Sequence, residues 1–118
     1  MNIEDVQYQR DRIFEQLEDL SNLDEQVRYQ ETVAIAQVPN ELVNQWFDDW
    51  YHPESPSFCE CFNPRELALL AEFSSFFEAR LESLPDTHDV HELHHSSTWL
   101  EIVAKAKEVL ERLAQCHA

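Results

Sequence analysis

Glycine does not occur anywhere in the 118 residues. Without it the chain lacks the usual residue for a left-handed helix stop and for the primed two-residue turn of a tight hairpin. Glycine-rich loops that cradle phosphates are excluded by the same count. Basic residues are scarce as well: 8 Lys and Arg stand against 24 Asp and Glu, a formal net charge of −16 at pH 7. A surface of that sign repels nucleic acid and anionic membrane, so direct binding to either is not expected. Long apolar runs are missing too. No stretch approaches the roughly 20 apolar residues of a membrane span, and the opening MNIEDVQYQRDR has no apolar core of a secretory signal. A cytoplasmic protein is expected. The three cysteines, Cys59, Cys61 and Cys116, are odd in number, and a Cys-x-Cys pair closes an internal bridge only with strain, so reduced thiols are expected.

What is present suffices for a fold. Hydrophobic residues make up 43% and aromatics 11%, too apolar for a disordered chain despite the charge. The length fits one domain over residues 1–118 with a core that needs no disulfide. Helices joined by Pro, Asn, Asp and Ser turns are the simplest architecture, and the expectation is an all-α, compact bundle of about five helices.

A first helix is expected from about Ile3 to Leu20, with Ile3, Val6, Ile13, Leu17 and Leu20 on one stripe and Phe14 beside it. Ser21, with Asp24 three residues on, offers a cap for a second helix to about Gln37; the β-branched run Thr32 to Val38 is kept helical for want of a partner strand. Pro39 suits the first turn of a third, carrying Leu42, Val43, Trp46, Phe47 and Trp50 at helical spacing. Pro53 and Pro56 end it, and His52 to Phe62 reads as a loop. Asn63-Pro64-Arg65-Glu66 is a strong start for a fourth helix through Leu84, stopped by Pro85. The polar, histidine-rich 86–95 stretch leaves room for one helical turn around Val90 and Leu93. A capping box at Thr98 and Glu101 opens the last helix, with Trp99, Ile102, Val103, Ala106, Val109, Leu110 and Leu113 as its apolar face.

Charge is uneven along the chain. Between Arg28 and Arg65 lie six acids and no base, and between Arg80 and Lys105 five acids and no base. The first of these segments holds Trp46 to Phe62, WFDDWYHPESPSFCECF, where large aromatics alternate with uncompensated carboxylates. Aromatics supply desolvated contact area and carboxylates supply steering and charge-assisted hydrogen bonds, which is what a face for a basic partner requires. Trp46 and Phe47 are expected to point into the core. Trp50 and Tyr51, at the helix end before two prolines, are expected to be exposed. The candidate partner-binding residues are Asp48, Asp49, Trp50, Tyr51, Glu54, Phe58 and Glu60, with Glu82, Asp86, Asp89 and Glu92 added from the second acidic segment.

Catalytic and metal chemistry find less footing. Adjacent Asp48 and Asp49 diverge by about 100° on a helix and do not face each other as a general acid/base pair would. No motif selects a nucleophile, base and orienting group, and no enzyme activity is expected. A zinc site can be drawn from Cys59, Cys61, His88, His91, His94 and His95, but Cys-x-Cys is not the Cys-x-x-Cys knuckle. A di-iron bundle needs Glu-x-x-His twice, and Glu92 to His95 supplies it once. Surface histidines and small buried thiols are the plainer reading, so no metal or cofactor is assigned.

The six residues Asp48-Asp49-Trp50-Tyr51-His52-Pro53 resemble the acid, two aromatics and proline with which the small helical colicin immunity proteins meet their nuclease toxins. The short, acidic character of the whole chain is similar to that of immunity proteins of contact-dependent and other polymorphic toxin systems. The resemblance implies binding roles for Asp48, Asp49, Trp50 and Tyr51, and a basic protein partner, the cognate toxin. The expected function is neutralisation of a basic nuclease toxin. The alternatives are a nucleic-acid mimic of the anti-restriction or anti-CRISPR kind and a small zinc-binding protein.

Overall fold

The computed structural model describes residues 2–33 and 37–116. It is all-α, and no strand occurs among the described residues. Helix α1 spans Ile3–Leu20, opened by Asn2, whose side chain accepts the Asp5 N–H at 2.8 Å. Ile13, Leu17 and Leu20 on its inner stripe are fully buried. Ser21 does not cap the next helix. It ends α1 in a helical conformation and turns its hydroxyl back to donate to the Glu18 carbonyl, while extended Asn22 accepts the Glu25 N–H at 3.1 Å and opens α2, Leu23–Thr32. The second helix stops well short of Gln37, because Val33 leaves helical dihedrals and the Thr32 hydroxyl donates to the Arg28 and Tyr29 carbonyls. Residues 34–36 of the expected helix lie outside the described residues.

Helix α3, Val38–Asn44, carries Pro39 in its first turn, where the missing N–H is harmless, and continues into a π-helical turn, Gln45–Trp50. The expected loop 52–62 contains a single helical turn, α4, Pro56–Cys59, with Ser55 as its cap. Helix α5, Pro64–Glu78, starts at the anticipated capping box: Asn63 accepts the Glu66 N–H at 2.8 Å and the Glu66 carboxylate accepts the Asn63 N–H at 2.9 Å. It ends before Leu84, giving way to a 3₁₀ turn at Leu81–Ser83; Leu84 is extended, as a residue preceding proline prefers. Helix α6 is the one turn Val90–Leu93, and α7, Ser97–Gln115, takes its cap from Ser96 instead of Thr98.

Helix α7 packs along both α1 and α5, and a chain of aromatics fills the centre. The Trp46 ring meets Phe73 at 5.0 Å and 87°, Phe73 meets Phe77 at 5.7 Å, and Phe77 meets Trp99 at 6.2 Å. All four side chains are fully buried. Such pairs add about 0.5–1.5 kcal/mol each beyond their area burial. The Trp46 indole N–H donates to Ser74 Oγ at 3.2 Å, so the ring carries no unmet donor into the core.

Two polar clusters are built into this apolar interior. Glu66, 1% exposed, receives both Arg10 Nη atoms at 2.9 Å; Arg10 also donates to the Cys61 carbonyl and lies 5.4 Å from each of the Phe14 and Phe62 ring centres. The carboxylate raises the Arg10 pKa above its usual value, so the guanidinium stays charged. The second cluster centres on Gln26, 1% exposed. The Trp99 indole N–H can only donate, so Gln26 presents its amide oxygen to it at 3.1 Å; the same oxygen receives His94 Nε2 at 2.8 Å. The amide nitrogen donates to the Asp19 and Leu20 carbonyls. One side chain thus ties the end of α1 to α2, α6 and α7. Gln30 adds a strap, accepting the Val90 N–H and donating to Asp89.

Gln26→Leu removes the partner of the Trp99 indole N–H and of the Leu20 carbonyl in the interior; a loss of about 2–4 kcal/mol in urea unfolding is expected. His94 gives a pH prediction. Burial holds its pKa below the ordinary value, nearby His91 and His95 push the same way, and Asp89 opposes them. As pH falls, the unfolded chain takes up this proton first, near about pH 6.5, so folded stability is full above that pH and declines below it towards the folded pKa. His94→Gln, which keeps an N–H for Gln26, should flatten this decline between pH 7 and 5.5 in urea-unfolding midpoints.

Candidate protein-binding face

The aromatic and acidic stretch is shaped by the π turn. In an α-helix, Trp50 would sit one turn above Trp46 and share its inward face. The wider turn inserts one residue. Tyr51 N–H donates to the Trp46 carbonyl at 3.0 Å, five residues back, and it is the Tyr51 ring that stacks on Trp46 at 4.9 Å and 14°. Tyr51 is therefore 9% exposed, not an exposed anchor. Phe58 is corrected in the same way: at 3% exposed it meets Tyr51 edge-on at 5.6 Å and Phe62 at 5.1 Å, because α4 folds the expected loop back onto the core. Burial raises the Tyr51 pKa, with the nearby Cys59 and Glu54 charges adding to it, so its phenol stays neutral.

The same rotation moves Trp50 outward to a half-buried position. There it meets Tyr8 of α1 edge-on, at 6.3 Å and 68°. Tyr8 is 54% exposed, with the Arg12 guanidinium 5.1 Å from its ring centre. Asp48 and Asp49 are exposed beside Trp50 in sequence, and Glu54 and Glu60 are exposed further on. His52 Nε2 lies 3.1 Å from the Asp49 carbonyl oxygen and Nδ1 lies 3.3 Å from Glu54, which orders the turn after Trp50. Trp46 and Phe47 face inward as anticipated, Phe47 packing on Phe77 at 5.1 Å. Tyr8 was missed in the sequence, although it stands off the apolar stripe of α1 among Gln, Arg and Asp, which is the signal of an aromatic facing solvent.

The second acidic segment divides. Asp89 caps α6, accepting the His91 N–H and a Gln30 amide hydrogen at 3.0 Å, and those bonds, Gln30 first, lower its pKa. Glu92 accepts the Thr87 hydroxyl at 2.6 Å. These two carboxylates hold the 86–93 turn together. Glu82 and Asp86 are exposed. They stand beside a groove of about 250 Å³, lined on one side by Pro39 and Val43 of α3 and on the other by Leu81, Leu84 and Pro85, with Leu93 and Trp99 beneath. Sequence reasoning did not find this groove, since its walls come from segments some 40 residues apart.

Among the described residues no three His, Cys, Asp or Glu side chains approach closely enough to hold an ion. The cysteines are free thiols; Cys59 and Cys61 donate to the Pro53 and Ser57 carbonyls, and burial raises the Cys61 pKa.

The division between core and surface aromatics is testable by unfolding in urea. Tyr51→Ala and Phe58→Ala should each cost about 3–5 kcal/mol, as core aromatics do, whereas Trp50→Ala should cost about half that or less. No protein family, curated protein or solved structure was found to match this chain.

Proposed function

We propose that this chain is an immunity-type protein: a cytoplasmic, stoichiometric inhibitor that neutralises a basic nuclease toxin by covering its active site. The observation that carries the reading is the half-buried Trp50 held edge-on by exposed Tyr8, next to exposed Asp48 and Asp49 in a segment without a single base. A rigid aromatic pair buries area at low entropic cost and anchors a complex. Neighbouring carboxylates draw a basic partner in and align it. The similarity of Asp48 to Pro53 to the colicin immunity segment supports the same assignment, with Tyr8 now standing where Tyr51 was expected to serve. Catalysis is not part of this role.

Capture from host lysate at low salt, with elution between about 0.1 M and 1 M salt where screening releases charge-held complexes, is the first test. The expected product is one small basic protein at one-to-one stoichiometry, toxic when expressed alone and silenced by this chain. A nucleoprotein or restriction complex, losing nearly all affinity at high salt, would instead identify a nucleic-acid mimic. With the partner in hand, Asp48→Ala with Asp49→Ala should slow association several-fold at low salt and leave dissociation nearly unchanged. Trp50→Ala should speed dissociation by about tenfold or more. Stopped-flow traces unchanged in both variants would remove this face from the interface.

A further inference from the structure

The groove between α3 and the 81–87 strap has a property that neither wall shows alone. Every residue lining it belongs to one of the two segments that contain no Lys or Arg, 29–64 and 81–104. The fold has brought the two uncompensated acidic stretches face to face across an apolar cleft. Its sides are Pro39, Val43, Leu84 and Pro85, and its floor is Leu93 and Trp99. Glu41 on α3 and Glu82 and Asp86 on the strap are exposed at neighbouring positions, with none of them in an ion pair among the described residues.

We infer that this groove is an anchor pocket for a basic peptide segment, taking one large apolar side chain of the segment while Glu41, Glu82 and Asp86 meet its flanking Lys or Arg residues. Three considerations select that occupant. The volume of about 250 Å³ lies below the roughly 300–1,000 Å³ of sites for drug-sized ligands and above the 150 Å³ that admits benzene, so it matches a single aromatic or branched side chain. Seven of the ten lining residues are apolar, which favours such a side chain, while Asn40, Asn44 and Thr87 supply hydrogen-bonding groups for the backbone of the segment. The one base next to the lining, Arg80, is paired with Glu101, whereas Glu41, Glu82 and Asp86 are in no ion pair among the described residues, so the uncompensated charge there is acidic, which selects cationic flanks and rejects acidic ones. The pocket is separate from the Trp50 and Tyr8 pair, and the inference stands whether or not the partner is a toxin.

Trp99 makes the occupant visible, because its indole lies under the groove and its N–H is fixed on Gln26, while the Trp46 N–H is fixed on Ser74. The experiment is an ¹⁵N-correlation titration of the full chain with the tryptophan-free peptide acetyl-Lys-Arg-Ser-Phe-Lys-Arg-amide. Its Phe→Ala version and a version with every Lys and Arg replaced by Glu serve as controls. The expected result is a shift of the Trp99 indole N–H and of the Val43 and Leu84 amides. Affinity should fall about tenfold or more for the alanine peptide, and binding should vanish for the acidic one. Val43→Trp, which fills the groove, should abolish the shifts. Glu82→Lys with Asp86→Lys, on exposed positions that the fold does not need, should weaken binding at low salt by about tenfold. The inference is overturned if the phenylalanine and alanine peptides bind alike, if the double lysine variant binds as the parent does, or if the Trp50 indole moves in place of that of Trp99. That last outcome would leave the proposed function standing and relocate the contact to the other face.

Discussion

Arg10 and Glu66 form the contact on which the rest of this structure leans. The chain carries three acids for every base, yet only one carboxylate, Glu66, is placed in the core among the described residues, and the fold spends an arginine on it. The same carboxylate closes the capping box of α5 while Arg10 also donates to the Cys61 carbonyl, so the pair ties the start of α5 and the residues just before it to the middle of α1. Removing one member of such a pair leaves an uncompensated buried charge, which costs about 3–5 kcal/mol. The flanking Phe14 and Phe62 rings lie against the guanidinium and add cation–π attraction.

The other bases follow a similar pattern. Lys105 and Arg112 of α7 both reach Glu72 of α5, and Arg80 reaches Glu101 while its guanidinium lies 3.4 Å from the Phe76 ring centre. These partly exposed pairs add little individually, but they place cationic side chains along the joint between α5 and α7. Arg12 and Arg28 pair within their own helices. Arg80, Lys105 and Arg112 thus lie where α5 and α7 meet, while the segments 29–64 and 81–104 carry acids and no Lys or Arg. A self-repelling surface of this kind is tolerable only because α1, α5 and α7 supply a dense aromatic and aliphatic core beneath it.

The π turn converts this charge layout into a usable face. It adds one residue between Trp46 and the ring stacked on it, sending Tyr51 inward and Trp50 outward, where Tyr8 holds it. One inserted residue decides which aromatic is structural and which can meet a partner. π turns often occur at functional positions because they cost backbone regularity to re-aim a side chain.

Fold class, the five helices of seven or more residues and most of the core were legible in the sequence, because amphipathic periodicity, the Asn63 capping box and proline stops act over a few neighbouring residues. So was the charge imbalance, which no folding can alter. Helix ends were less legible: Ser21 against Asn22 and Thr98 against Ser96 offer equivalent caps, and the choice falls to whichever residue the preceding backbone leaves extended. Trp50 faces outward as expected, but Tyr51 and Phe58 are buried, because the backbone widens into the π turn at Gln45–Trp50 and α4 folds the expected loop back onto the core, and nothing local announces either. The sequence by itself determined an acidic helical chain with two stretches free of base. Only the tertiary structure decided that these stretches face each other across a groove, that Tyr8 supports Trp50, and that Asp89 serves the fold through Gln30, since each of those outcomes depends on contacts between residues far apart in the chain.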